Sequence, residues 1–408
     1  MWFGLSISDR SFWQKVAHFA RQEVLPRVVA WDDQGSFPRS LWEKLGAKGL
    51  LGLCYPRALG GSGHGPKRLA IALDAFAYGS KDLGIVNSWG IHSAMVGLAI
   101  VNAGTDAQQR RYLPAMAAGR IVGAFALTEP EAGSHVVALQ TTARREGNTF
   151  VIRGHKSFVT NGPQADLFLV IAKTGASGTE EMAAFLLERG TPGLVVGPAE
   201  LKSCVRTSPC CDIELRDCRL PAKQRLGYKD TALKDVVFPA LDRDRCVVWA
   251  GRLGRLRAIL EDSTAYAKRR RQFGKPLCQH QAILFKLADM KVNLDAAEAL
   301  LSRALMRLER NESVRLEAAV ARLFLGKATT RSADEAVQIF GGRGFYPKNH
   351  VERYSRDARL DGIGGGTFEI QRMIIGRKVV ESIVDTEAPW LSEAILPEQQ
   401  TGLSNESR

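Results

Sequence analysis

Apolar positions divide the chain into three parts with different periods. From residue 11 to about residue 118 they recur three and four apart, the spacing of an amphipathic helix. Between residues 121 and 233 they form short runs separated by turn residues, and from residue 234 the helical spacing returns. The pattern predicts an N-terminal helical domain (1–120), a middle β domain (121–233), a C-terminal helical bundle domain (234–387) and a flexible polar tail (388–408).

The middle part has the composition of a compact β domain. Its runs are rich in β-branched and aromatic residues, and turn sequences such as Glu-Gly-Asn at 146–148 and Asn-Gly at 161–162 separate them. Helices, then strands, then helices again place the chain in the α+β class. The predicted strands are 141–145, 149–153, 157–160, 167–172, 182–188, 194–196 and 211–215.

Composition and cysteine usage narrow the class of protein. With 408 residues, 45% of them hydrophobic and 24% charged, the chain is long enough to bury a large core. No apolar run approaches the ~20 residues that span a bilayer, so no membrane segment is predicted. The 7 cysteines are odd in number and form no Cys-x-x-Cys pair, which disfavours a disulfide framework or a metal site. A reducing, cytoplasmic location is therefore expected.

A formal net charge of +13 makes the chain strongly basic. Such a charge attracts nucleic acid, anionic membranes, phosphorylated ligands and acidic protein partners. Basic residues gather at Arg252, Arg255 and Arg257, and again at 268–271; solvated helix faces account for most of them. No nucleic-acid recognition module is visible, so nucleic acid is not expected as a partner. A phosphopantetheine-bearing ligand fits better, since coenzyme A carries phosphates and carrier proteins are acidic.

Five segments together resemble the acyl-CoA dehydrogenase family of flavoenzymes, and the resemblance runs from about residue 10 to residue 385. It implies an N-terminal helical domain, a middle β domain, a C-terminal four-helix bundle and FAD as cofactor. The segments are Leu-Thr-Glu-Pro-Glu-Ala-Gly-Ser at 127–134, Arg-Arg-Gln-Phe-Gly-Lys-Pro at 270–276, Gln-Ile-Phe-Gly-Gly-Arg-Gly-Phe at 338–345, Arg-Tyr-Ser-Arg-Asp-Ala-Arg at 353–359, and Asp-Gly-Ile-Gly-Gly-Gly-Thr-Phe-Glu-Ile-Gln-Arg at 361–372.

A flavin needs an apolar wall, hydrogen-bond donors at its polar edge and small residues near its diphosphate. Two segments, 125–134 and 156–162, can supply all three. Within the resemblance, His135 departs from the Asp that the family has there. The resemblance implies flavin contacts at Phe125, Leu127, Thr128, Phe158, Thr160 and Thr367, and places Gly133 and Ser134 near the diphosphate and the mouth of the substrate arm.

Four further residues are expected to reach the FAD of a neighbouring subunit, namely Arg270, Phe273, Gln338 and Gly342. An arginine fork suits a diphosphate, and glycine permits close backbone approach. The alternative for Arg270 is a cationic helix end favoured by the helix dipole. Sites shared between subunits imply a homo-oligomer, and the family is usually tetrameric.

The base that removes the substrate's α-proton is missing from its usual place. The family has Ile-Tyr-Glu-Gly-Thr where this chain has Ile363, three glycines and Thr367, so Gly365 stands in the position of the Glu. Isovaleryl-type members carry the Glu on another helix, at the position of Asp244. The resemblance therefore implies Asp244 as base, with Asp242 and Arg245 on the substrate side. The alternative is that Asp244 is a charge at a helix start.

The sequence leaves three functions open. The first is FAD-dependent α,β-desaturation of an acyl thioester, borne by coenzyme A or an acyl carrier protein, with electron-transfer flavoprotein or oxygen as electron acceptor. Gly364 and Gly365 would then widen the pocket for a branched, polar or carrier-bound acyl group. The second is a flavin-dependent oxygenase of the same fold, whose chemistry needs no α-proton base. The third is a non-desaturating relative that binds FAD or nucleic acid.

Overall fold

The computed structural model describes residues 5–175, 181–227 and 230–384. The predicted tail at 388–408 lies outside the described residues. Within the described part, helices occupy both ends of the chain and a sheet lies between them.

The N-terminal helices begin at recognisable signals. Ser6 caps the first helix by accepting a hydrogen bond from the backbone N–H of Asp9 at 3.0 Å. Thr105 and Gln108 form a reciprocal capping box at the start of the last of these helices. The helices are α1 (Ile7–Glu23), α2 (Val28–Gln34), α3 (Ser40–Ala47), α4 (Pro66–Ser80), α5 (Gly84–Gly90), α6 (Leu98–Ala103) and α7 (Asp106–Ala117).

A π-helical segment, Ile91–Gly97, joins α5 to α6 into one 20-residue helix, Gly84–Ala103. By length and composition alone this helix could cross a membrane, which corrects the expectation that no segment approaches that length. Its most apolar window is 89% buried inside the protein. Trp89 packs edge-on against Phe76 of α4, with ring centroids 5.6 Å apart. The helix is therefore part of the core.

The middle part is an eight-stranded sheet of β1 (Gly123–Ala126), β2 (Thr142–Glu146), β3 (Thr149–Thr160), β4 (Leu167–Lys173), β5 (Met182–Glu188), β6 (Leu194–Val196), β7 (Cys210–Pro221) and β8 (Arg225–Leu226). The strand order is β6-β7-β3-β2-β4-β5-β8, and β1 pairs parallel to β4. The predicted runs 149–153 and 157–160 belong to a single strand, whose register shifts at Ile152/Gly154 and Lys156/Val159.

Helices return at Leu233. A continuous helical stretch to Arg269 alternates between two π-helical segments, Leu233–Val237 and Asp244–Val248, and two α-helices. Of the four long helices that follow, Ala250–Arg269 and Arg315–Phe340 pack on each other, and both pack on Gln281–Glu309. The last one, Phe368–Val384, packs on Arg315–Phe340. The elements are α8 (Phe238–Arg243), α9 (Ala250–Arg269), a hairpin of β9 (Arg271–Gln272) and β10 (Lys275–Pro276), α10 (Gln281–Glu309), α11 (Arg315–Phe340), α12 (Val351–Ala358) and α13 (Phe368–Val384).

Arginines of α9 that were expected on a solvated face are buried. Arg252, Arg255 and Arg257 all lie inside the fold. Isolated charges would be too costly there, and each is matched by an acid from another helix or turn. The ion pairs are Arg252–Asp361 at 3.0 Å, Arg255–Asp357 at 3.5 Å and Arg257–Glu298 at 2.6 Å.

Candidate active site

Two strand ends predicted to contact a flavin are joined in the structure. The backbone N–H of Ser157 in β3 donates to the carbonyl of Thr128, just beyond β1, at 2.8 Å. The Lys156 ammonium donates to the carbonyl of Leu127 at 3.0 Å. Phe125 lies half-buried in β1, and Thr160 lies half-buried where β3 ends. These strand ends therefore form one surface.

A buried ion pair lies behind that surface and connects the two strand ends. Lys156 Nζ lies 2.7 Å from Glu129 Oε1, and both side chains are buried. Burial lowers the pKa of Lys156 to about 8, against the opposing effect of Glu129. Glu129 also accepts a hydrogen bond from the backbone N–H of Thr141 at 3.0 Å. The pair thus fixes the turn after β1 to the middle of β3.

Phe158 is held out of the core in an unusual conformation. Its side chain is 74% exposed and its φ is 57°, in the left-handed region that bulky residues rarely adopt. Asp212 of β7 accepts a hydrogen bond from the Phe158 N–H at 3.2 Å and another from the Ser157 hydroxyl at 3.0 Å. These bonds present the ring as an exposed apolar wall beside the strand ends.

Gly133 and Ser134 are exposed on the turn after β1. A Cβ built at Gly133 would meet nothing within 4 Å, so the backbone there is open to a close-lying group. An exposed aromatic wall, free backbone and a rigid strand-end support are the features a flavin and its diphosphate require. The strand-end residues therefore fit FAD.

The residues expected to serve a neighbouring subunit lie at one end of the bundle. Stacked rings of Tyr266 and Phe340, 4.2 Å apart, join the ends of α9 and α11. Arg270 follows α9, and Phe273 in the β9–β10 hairpin is 92% exposed. A Cβ built at Gly342, just past α11, would meet nothing within 4 Å. This end of the bundle offers an exposed aromatic ring, an exposed cation and open backbone.

Gln338 lies on the last turn of α11 and lines a cleft of about 830 Å³ between α10, α11 and the start of α13. The cleft carries charges of both signs, including Arg331, which pairs with Asp289 at 2.7 Å. Thr367 caps α13, because its hydroxyl accepts from the backbone N–H of Ile370 at 3.2 Å. The predicted cofactor residues thus fall into two groups. The strand-end group is Phe125, Leu127, Thr128, Gly133, Ser134, Phe158 and Thr160, and the bundle-end group is Arg270, Phe273, Gln338, Gly342 and Thr367.

The Asp244 carboxylate occupies the space that a side chain at position 365 would take. Gly365 has a φ of 64°, and a Cβ built on it would overlap Asp244 Oδ2. The same Cβ would lie 3.4 Å from Asp244 Cγ and 3.2 Å from the indole nitrogen of Trp249. Asp244 is buried within the π-helical segment rather than at a helix start. The carboxylate of Asp244 therefore fills the space that a side chain at 365 would take, so the glycine there does not widen the pocket.

Burial and arginines act in opposite directions on Asp244. Burial raises its pKa above the ordinary value of 3.8, and it outweighs Arg322, Arg252 and Arg245, which favour the ionised form. The Trp249 indole adds a hydrogen bond that also favours the carboxylate. A carboxyl with a raised pKa is the kind of group that accepts a proton well near neutral pH.

Arg322 is a site residue that the sequence reasoning missed. It is buried in α11 and donates through Nη2 to the carbonyls of Gly364 at 2.6 Å and Gly366 at 3.4 Å. Burial lowers its pKa to about 9. Its guanidinium lies 3.2 Å from the centre of the Trp249 ring. An arginine among small apolar residues of α11 was the available signal, because such a position is buried by pattern.

The predicted substrate-side pair is present, although it is not at the surface. Arg245 Nη1 donates to Asp242 Oδ1 at 2.8 Å, and Arg245 is buried. Asp242 also lies 3.7 Å from Arg315 Nε. Arg245 is thus neutralised by its own neighbour. Glu369, which follows the three glycines on α13, is 71% exposed and pairs with Arg372, whereas Asp244 is buried.

Family models match almost the whole chain. The N-terminal, middle and C-terminal domains of acyl-CoA dehydrogenase match residues 8–120, 124–218 and 235–380. A probable acyl-CoA dehydrogenase of Bacillus subtilis, YngJ, is 36% identical over 93% of this chain and 100% of its own length.

Solved structures with the same fold include an acyl carrier protein oxidase and a protein with bound FAD. The prolyl acyl carrier protein oxidase AnaB superposes with a TM-score of 0.89, at 32% identity, covering 92% of this chain and 100% of its own. PigA with FAD and proline superposes with a TM-score of 0.90, at 30% identity, covering 93% and 99%.

The chain belongs to the acyl-CoA dehydrogenase family. The predicted fold is confirmed, with a helical N-terminal part, a central sheet and a C-terminal helical bundle. The predictions of an FAD flavoprotein and of an oxidoreductase that dehydrogenates acyl thioesters are confirmed as well. The roles of the individual site residues and the domain boundaries stay predictions.

Proposed function

We propose that the enzyme desaturates a phosphopantetheine-borne acyl group with Asp244 as the base. The observation that carries this proposal is the overlap between Asp244 Oδ2 and the side-chain space of Gly365. Two positions known to carry the base in the family face one point, and here the carboxylate comes from the π-helical segment.

The chemistry divides between cofactor and chain. FAD supplies the acceptor for the hydride that leaves the β-carbon of the acyl group. Asp244 takes the α-proton, and its raised pKa matches it to that task. Trp249 orients the carboxylate, and Arg322 fixes the glycine segment beside it. Burial of the carboxylate keeps bulk water away from the proton.

The thioester is borne by an acyl carrier protein or by coenzyme A. AnaB is named as an oxidase of a prolyl acyl carrier protein, whereas YngJ is named as a probable acyl-CoA dehydrogenase. The net charge of +13 favours an acidic or phosphorylated partner in either case. Because Arg245 is buried against Asp242, this attraction comes from surface cations rather than from the predicted substrate-side arginine.

Assembly, electron acceptor and location complete the proposal. We expect a homo-oligomer, a tetramer, in which Arg270, Phe273, Gln338 and Gly342 serve a neighbour's FAD. An electron-transfer flavoprotein or oxygen reoxidises the enzyme, and the protein works in the cytoplasm. The exposed Phe273 ring and open backbone at Gly342 support this arrangement.

Substitution of the base tests the proposal directly. Asp244→Asn preserves the size and burial of the side chain but removes its ability to accept a proton. We expect FAD to stay bound and the rate of flavin reduction by a reactive thioester to fall at least about a hundredfold, the scale of a lost general base. Stopped-flow absorbance under anaerobic conditions measures that rate.

Two controls accompany this measurement. Glu369→Gln removes an exposed acid from the same glycine segment and should leave reduction unchanged. In the parent enzyme, the rate should fall as pH falls through the pKa of Asp244, which lies above 3.8, because the protonated carboxyl cannot act as base. Unchanged reduction in Asp244→Asn would exclude Asp244 as the base. Spectral silence with every thioester would favour the oxygenase.

A further inference from the structure

A cluster of buried polar side chains lies beside Asp244, and its hydrogen bonding is incomplete. We call Arg252, Arg322, Asp361 and Asn87 the polar cluster; all four are buried. Arg252 donates through Nε to Asp361 Oδ1 at 3.0 Å and through Nη1 to Asn87 Oδ1 at 2.6 Å. The cluster draws its members from four different parts of the chain.

Trp249 connects this polar cluster to the base. Its indole hydrogen-bonds the Asp244 carboxylate. The guanidinium carbons of Arg252 and Arg322 lie 4.0 Å and 3.2 Å from the centre of the same indole ring. Asp244, Arg252 and Arg322 therefore all lie beside one indole ring.

The polar cluster contains both hydrogen-bond donors and a hydrogen-bond acceptor that lack partners. Among the described residues, Asp361 Oδ2 has no hydrogen-bond donor, and Arg322 Nε and Nη1 have no acceptor. Leaving a buried polar group unpaired costs free energy, and more so for charged groups. The cluster therefore lacks a donor for Asp361 Oδ2 and acceptors for two nitrogens of Arg322.

The chemistry of the missing partner follows from those two needs. A hydroxyl both donates and accepts, so a single hydroxyl group can donate to Asp361 and accept from Arg322 at the same time. An ammonium can only donate and would sit against two guanidinium groups. A carboxylate can only accept and would sit against Asp361 and Asp244. An alkyl chain would leave both sets of atoms unpaired.

We infer that the acyl group of the substrate carries a hydroxyl, which Asp361 and Arg322 bind beyond the base. This inference rests on the proposed function, because it places the acyl chain beside Asp244. It names Asp361 and Arg322 as the residues that determine acyl specificity. A site built to pair with a hydroxyl rejects the analogue that lacks it far more strongly than an apolar pocket rejects a change of size.

Four matched coenzyme A thioesters test the inference: butyryl, 4-hydroxybutyryl, 4-aminobutyryl and succinyl, which differ in the group at the end of a four-carbon chain. Dissociation constants are measured on FAD-loaded Asp244→Asn enzyme by perturbation of the flavin spectrum, so that turnover does not interfere. We expect the 4-hydroxybutyryl thioester to bind at least about tenfold more tightly than the other three. This factor is smaller than the discrimination that binding sites built for a hydroxyl show against analogues that lack it.

A conservative substitution links that preference to the polar cluster. Asp361→Asn keeps an oxygen for Arg252 but replaces the unpartnered oxygen by an N–H₂ donor, so the preference for the hydroxyl should disappear. Asp357→Asn is the matched control, since Asp357 is another buried acid paired with an α9 arginine, at 3.5 Å. Retained FAD absorbance shows that each variant is folded.

Each outcome decides the inference. Equal or tighter binding of butyryl, 4-aminobutyryl or succinyl overturns it, as does a preference that survives Asp361→Asn. Failure of all four to bind, while other short thioesters do, overturns it as well. Hydroxyl-selective binding in an enzyme that no thioester reduces would sustain the inference while refuting the proposed desaturation.

Discussion

At the scale of single residues, the proposed base Asp244 lies on the π-helical segment, and the segment that usually carries the base has Gly365 instead. A glycine at 365 is required twice, once by its left-handed φ of 64° and once by the Asp244 carboxylate that occupies the adjoining space. A carboxylate on one element and a missing side chain on the other are therefore one feature. The family resemblance pointed to Asp244, and the overlap supplies a physical reason for Gly365.

Adding a single carbon at this point should disturb catalysis. Gly365→Ala places a Cβ on Asp244 Oδ2 and imposes a conformation that costs about 1–2 kcal/mol for a side-chain-bearing residue. Displacing the carboxylate by about 1 Å should lower the rate of flavin reduction about a hundredfold.

The neighbouring glycine provides the comparison for Gly365→Ala. At Gly364 no positive φ is imposed, and an added Cβ would meet Leu360 Cδ1 at 3.0 Å, a side-chain end that can shift. Gly364→Ala should therefore retain most of the rate. Single-turnover reduction measures both variants, and equal rates in the two would mean that the overlap does not position the base.

At the scale of elements, the sequence predicted strands and helices well and side-chain pairing poorly. The runs from 167 and from 182 became β4 and β5 because a short continuous apolar run is a local signal of a buried strand. The α9 arginines were misjudged as solvated because each partner acid, such as Asp361 for Arg252, lies on an element far along the chain. The π-helical segment that buries Asp244 has no local signature, since tertiary packing selects it.

The strand-end surface should depend on its buried ion pair. Lys156→Met leaves Glu129 buried without its cation, which should lower the free energy of unfolding by about 3–5 kcal/mol and weaken FAD binding. Denaturant titration and FAD titration measure the two effects. Adding Glu129→Gln should recover part of the loss, because the uncompensated charge is then removed.

An exposed ion pair between β3 and β7 serves as the control for Lys156→Met. Arg153 and Asp217 are joined by a hydrogen bond of 2.9 Å, but both are exposed. Arg153→Met should therefore change the free energy of unfolding by no more than about 1 kcal/mol. A loss of stability as large as that of Lys156→Met would show that burial does not explain the effect of the Lys156–Glu129 pair on the free energy of unfolding.

At the scale of the whole molecule, the predicted cofactor residues form two separate groups. The strand-end group holds Phe158, and the bundle-end group holds Phe273, both exposed aromatic rings on left-handed backbone. Large exposed apolar side chains mark surfaces that meet a partner or a ligand. Two half-sites on one chain are what a symmetric oligomer needs in order to complete each site with a neighbour's residues.

Subunit complementation tests that arrangement. One variant, Asp244→Asn, lacks the base but keeps the bundle-end group; the other, Arg270→Ala with Phe273→Ala, keeps the base. Each should reduce FAD poorly alone. Co-expressed, they should form oligomers, sized by light scattering, in which about a quarter of the sites combine an intact base with an intact neighbour. Leu201→Ala, an exposed apolar residue of the middle part, is the control for loss of a surface side chain. Because complementation requires the site to cross between subunits, a monomeric mass or no recovered activity would place the whole site within one chain.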